Sequence, residues 1–139
     1  MITVWSSWVF ASLCLHSLIA GEYVNFIMYY FLLPLSIFNH ATLDRKFKGK
    51  YMMIYIDKFF ALITVCNSLY RSYTISYEHA NILPILICKS CVFWIYYVYV
   101  WKKYSWLPGN AWKPWHASVH IIPFLGSHII MLMHSYFHW

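Results

Sequence analysis

A chain of 139 residues would suit one small soluble domain by length alone, yet apolar residues make up 62% of it, aromatics 22% and charged residues 10%, against about 25% charged in ordinary globular proteins. So few charges cannot cover a water-facing surface, which excludes the soluble, disordered, collagen-like and coiled-coil classes and leaves a small integral membrane protein. The formal charge of +6 then sets topology; no basic face alternates with aromatics as a nucleic-acid module would need, so no nucleic-acid partner is expected.

A transmembrane helix needs roughly 20 mostly apolar residues, and five stretches meet or approach that length. The first runs from about Ile2 to Ala20 and closes at Gly21-Glu22. It lacks the charged start and small-residue cleavage pattern of a signal peptide, so a retained helix is expected. The second runs from Tyr23 to about Ala41 with Pro34 inside it, and the third from near Met52 to just before Arg71. The fourth covers about Ile82 to Trp101 with Pro84 in its first turns, and the fifth runs from about Trp115 to the C-terminus through Pro123. No repeat, low-complexity tract or domain boundary interrupts them, so the chain reads as one unit, an all-α integral membrane protein.

Orientation follows the basic residues. Arg45, Lys46, Lys48 and Lys50 lie between the second and third spans, and Lys102, Lys103 and Lys113 between the fourth and fifth. Arg71 is the basic loop residue expected on the other side. With five spans the N-terminus is expected in the cytoplasm and the C-terminus across the membrane. Trp101, Trp106, Trp112 and Trp115 mark one interface, and Tyr70, Tyr73 and Tyr77 the other.

Ionisable groups within a bilayer are costly and are functional candidates by default. His116 and His120 stand i, i+4 at the start of the last span, on one helix face and within reach of a shared metal. Ser36 and His40 have the same spacing late in the second. Asp57 lies in the first turns of the third; Lys58 cannot share its face, so it can turn to the headgroups while Asp57 points inward. The three spans place all five side chains at one depth, near the cytoplasmic face. Three imidazoles, a carboxylate and a hydroxyl are the parts of a catalytic zinc site, with three nitrogen ligands leaving the fourth tetrahedral position for water. Asp57 would take or orient a proton, and Ser36 would bond the water or a developing oxyanion.

The segments Ser36-Ile-Phe-Asn-His40, Tyr55-Ile-Asp57-Lys-Phe-Phe and Trp115-His116-Ala-Ser-Val-His120 together resemble the CREST-type membrane hydrolase superfamily. That superfamily joins alkaline ceramidases, the adiponectin/progestin receptor family, haemolysin III proteins, Per1-type lipid-remodelling proteins and myomaker-like proteins. The resemblance implies Zn2+ held by His40, His116 and His120, with Asp57 and Ser36 around its water. It also implies hydrolysis of a lipid amide or ester, a lipid substrate, and residence in the endoplasmic reticulum or Golgi. Two departures stand out. The family core has seven helices where five are found, a shortened version whose cavity would be open or completed by a second copy in a homo-oligomer. The basic loop from Asp44 to Lys50 is also longer, with Asp44 as the runner-up acid.

Other polar groups weigh less. Cys14, Cys66, Cys88 and Cys91 lie in apolar runs and read as small buried hydrophobes; Cys88-Lys-Ser-Cys91 matches Cys-x-x-Cys without a βαβ context. Lys89 is expected to snorkel, pair with Glu78 or mark a polar contact. His134 and His138 lie too far along the last span to join the site. Two alternatives to the hydrolase are carried: a non-enzymatic receptor-like or structural protein pinned by zinc, and a small haem-bearing subunit in which His16 faces His128 or His134 across the porphyrin.

Overall fold

The computed structural model describes residues 2–42, 48–101 and 109–137. Every regular element among them is helical: α1 (Ile2–Ser7), α2 (Val9–Ile19), α3 (Tyr23–Ala41), α4 (Lys50–Glu78), α5 (Leu83–Tyr96), continued by a π turn over Tyr97–Trp101, and α6 (Trp112–Phe137). The first two form one rod that tightens at Trp8, where the amides of Trp8 and Ala11 bond back only three residues, to Trp5 and Trp8. Both internal prolines, Pro34 and Pro123, sit inside unbroken helices. Asp44, Arg45, Lys46, Lys102, Lys103, Trp106 and His138 lie outside the described residues.

Four helical rods are long and apolar enough to cross a membrane: Ile2–Ile19, Lys50–Glu78, Leu83–Val100 and Trp112–Tyr136. The helix Tyr23–Ala41 is long enough as well, but Asn25, Asn39, His40 and three tyrosines dilute its apolar character. Chain-sequential neighbours pack side by side, α2 on α3, α3 on α4, α4 on α5 and α5 on α6. The last helix then returns to α1 and α2, closing a five-membered ring. The short α1 touches both α3 and α6 and so occupies the groove between them.

The bundle is turned inside out relative to a soluble protein. Thr3, Ser6, Ser7, Ser17, Asn25, Ser36, Ser72, His116 and His120 are buried, whereas Trp5, Leu15, Ile19, Phe59, Leu62 and Phe93 face outward. Lipid tails are as apolar as leucine, so helices in a bilayer associate through small residues, close packing and polar bonds. Two small apolar clusters fill what remains. Leu13, Tyr29 and Met131 join α2, α3 and α6, and Ile75, Cys88 and Ile130 join α4, α5 and α6.

One boundary departs from the sequence reading. The third span was expected to end before Arg71, but α4 runs on to Glu78 and spans about 43 Å, well beyond a hydrocarbon core of about 30 Å. Arg71 is no loop residue: it turns inward to Glu22, which also accepts from Asn25 and lies 3.0 Å from His134 Nδ1. Asn67 donates to Asn25. A carboxylate at the α2–α3 corner therefore recruits the guanidinium into the helix, and with it Tyr70, Tyr73 and Tyr77.

The cysteines are free. Of the four expected to be buried, Cys88 is, Cys14 and Cys91 are partly so, and Cys66 is exposed on the outer face of α4; Cys91 Sγ lies 3.8 Å from the carbonyl of Ile122. Among the described residues Lys89 makes no ion pair with Glu78; its ammonium stands 5.9 Å from the centre of the Tyr73 ring, within reach of a cation–π contact. Gly126 lets α6 approach α5: a methyl group there would collide with Cys91 Sγ and press on Ile87. Gly126→Ala is expected to lower stability by about 1–3 kcal/mol, the usual cost of overpacking. Unfolding in detergent should show it, and adding Cys91→Ala should recover most of the loss if that collision is the cause.

Candidate metal centre

The end of α3, the start of α6 and the N-terminal α1 meet at one level of the bundle. Proceeding along α3, Ser36 and His40 fall on one face, four residues apart. On α6 the same spacing stacks His116 and His120. His40 Nε2 and His116 Nε2 face each other at 3.0 Å, and one nitrogen from each of His40, His116 and His120 lies within 4.8 Å of the others. Among the described residues this is the group of three or more potential metal ligands that converges. His116 and His120 are buried and His40 is partly so.

These residues fit a metal ion. Zinc–nitrogen bonds of 2.0–2.1 Å at tetrahedral angles put ligand nitrogens about 3.3 Å apart, close to the observed His40–His116 separation. The three imidazoles are neutral-nitrogen donors suited to zinc, copper, iron or nickel, so the donor set admits a transition metal without selecting one. His40 Nδ1 is buried and has no hydrogen-bond partner among the described residues. Aromatic rings wall the cluster, with Phe10 5.4 Å from His120 and Trp112 5.9 Å from His116, measured between ring centres.

Around the imidazoles stands a layer of hydroxyls that the sequence reading missed. Ser6 and Ser7 both donate to the Thr3 carbonyl, at 2.9 and 3.0 Å. Ser6 Oγ is 2.9 Å from His120 Nδ1, and Ser7 Oγ is 2.9 Å from Ser36 Oγ. A hydroxyl has one proton. With the Ser7 proton directed to Thr3, Ser36 is the donor to Ser7, and what Ser36 retains for the site is its lone pairs. The signal was present in the sequence: Thr3, Ser6 and Ser7 stand at i, i+3 and i+4, a polar stripe on an apolar helix.

Asp57 is held at α4, where its Oδ2 accepts from Asn39 Nδ2 at 2.9 Å. It is not one of the converging ligand groups; its link to the cluster is through Asn39, the neighbour of His40 in α3.

Three further histidines, His16, His128 and His134, lie away from this cluster. His16 and His128 approach through Nδ1 atoms 2.6 Å apart, with rings nearly parallel, and Ser12 Oγ lies 3.0 Å from His128 Nε2. Haem ligands must flank a macrocycle, and rings in direct contact leave no room for one. His134 belongs to the Glu22–Arg71 group. That group is about 21 Å along α6 from His120.

No protein-family model, curated protein or solved structure matches this chain. The metal centre therefore stands on its own geometry. His116→Ala and His120→Ala should each lose most of the transition metal that the wild-type protein takes up, because dropping from three protein ligands to two opens an ion to solvent. Metal analysis of the purified variants beside wild type checks this. Retention of full metal content by both would remove the centre.

Proposed function

We propose that this protein is an intramembrane zinc-dependent hydrolase of a lipid amide or ester. Its helices would lie in the bilayer with the N-terminus in the cytoplasm and the metal centre near the cytoplasmic face. The observation that carries the reading is the convergence of His40, His116 and His120 from two helices on one point, a set that leaves room for a fourth, non-protein ligand. The apolar exterior and the four long apolar helices support the membrane setting.

His40, His116 and His120 would hold the zinc, which when bound would supply Lewis acidity and a nucleophile usable at neutral pH. The chain supplies the rest. Asp57 accepts a proton through the carboxylate oxygen that Asn39 leaves open. Ser36, its own proton committed to Ser7, orients water by accepting a hydrogen bond. Phe10 and Trp112 exclude bulk water from the imidazoles, and the apolar helix faces hold the acyl chain beside them. The ceramide-type amide or phospholipid ester, residence in the endoplasmic reticulum or Golgi, and a second copy completing the wall all follow from the superfamily resemblance.

A second reading keeps the zinc and drops the chemistry. The cluster bridges α3 to α6, and Ser6 ties it to α1, where the last helix closes on the first. Zinc there would pin that closure. Purified protein in lipid nanodiscs decides between the readings by metal content and by fatty-acid release from ceramide and from phospholipid. Asp57→Asn should retain the zinc and abolish the release. Full turnover by Asp57→Asn would remove the carboxylate from the mechanism, and zinc without turnover on either lipid would favour the pin.

A further inference from the structure

We infer that Ser6 is a positioning residue of the metal centre: it holds His120 as the tautomer protonated on Nδ1 and so makes Nε2 the ligating nitrogen. The inference rests on the reading of His40, His116 and His120 as metal ligands and adds to it a residue from a third element of the fold.

The argument is one of proton direction. Ser6 Oγ has two close partners, the Thr3 carbonyl oxygen and His120 Nδ1, both at 2.9 Å. The carbonyl can only accept, so the hydroxyl proton goes to it. Reversing that assignment would leave two lone pairs facing each other at 2.9 Å. With its proton spent on Thr3, Ser6 can only accept from His120, and Nδ1 must carry the hydrogen. A neutral imidazole has one N–H, so its Nε2 is then a lone pair. Metal-ligating histidines commonly donate their second ring nitrogen to an oxygen in this way, which fixes both tautomer and ring orientation.

The packing allows little alternative. Ser6 and His120 are both buried, and Phe10 lies against the imidazole from the next turn of the same rod. His40 differs: its Nδ1 has no partner among the described residues. Ser6 therefore anchors an imidazole on α6 from a short helix that packs against both α3 and α6. Residues at the beginning of the chain would thus tune a cation held by its final helix.

The test uses the full chain in detergent micelles, with zinc affinity read by competition with a chromophoric chelator and the His120 tautomer read from ring 15N shifts of the metal-free protein. Ser6→Ala is expected to weaken zinc binding about 10- to 100-fold and to release His120 into a mixture of tautomers. Ser6→Thr keeps the hydroxyl and should restore both readouts, which a merely structural loss would not produce. Wild-type zinc affinity in Ser6→Ala, or an Nε2–H tautomer in the wild-type protein, overturns the inference while leaving the metal centre standing. Failure of the wild-type protein to bind zinc, with the Nδ1–H tautomer intact and dependent on Ser6, supports the positioning role and removes the metal reading alone.

Discussion

Closing a ring of helices whose outward faces are largely apolar and whose contacts are largely polar is the constraint on which the rest of this structure depends. In a bilayer the apolar surfaces of two helices gain little by leaving lipid for each other, so adhesion must come from close packing and from polar groups that find partners. Here α6 has to return to a rod more than 100 residues earlier in the chain. It does so with a polar side chain at successive levels: His120 against Ser6, His128 against Ser12 and His16, Met131 against Ser17, and His134 against Glu22. The clusters that look functional at one end and structural at the other are both answers to this closure problem.

The two ends answer it differently. Around Glu22 the charges are matched on the spot: a carboxylate meets a guanidinium, an amide and an imidazole, and no donor set is left converging on a point. At the opposite end three imidazoles face one another with no carboxylate among them. Neutral imidazoles in contact each bring a lone pair, and at most one hydrogen apiece to share. Such a group is satisfied by a cation far better than by itself, which is why the histidine cluster and not the ion-pair cluster is the candidate for a ligand.

Much of this was legible from the sequence. The limits of α3 followed from Glu22 and the polar residues after Ala41, and the i, i+4 spacing of His116 and His120 put them on one face without reference to any neighbour. Span order alone placed His40 at their level. What was not legible depends on partners remote in sequence. Arg71 ends a span if only local hydropathy counts, but Glu22, 49 residues away, draws it into α4. Ser6 and Ser7 stand with Thr3 in a polar stripe, but what that stripe faces is unknown until α6 and α3 supply His120 and Ser36. The Asn39–Asp57 bond is of the same kind, linking the residue beside one candidate ligand to the candidate base.

The five-helix count bears directly on how such a centre can exist. His40 ends a helix and His116 begins one, so they share a level only if an even number of helices lies between them. The chain supplies α4 and α5, the smallest such number above zero. Adding or removing helices in pairs preserves that arithmetic, so a shorter bundle need not lose the centre of a longer one. The ring loses enclosure with each pair removed. Here α1 fills the groove between α3 and α6, where a larger bundle would have more wall. That position gives the first turns of the chain access to the imidazoles and ties the integrity of the centre to the helix with the fewest residues to hold it.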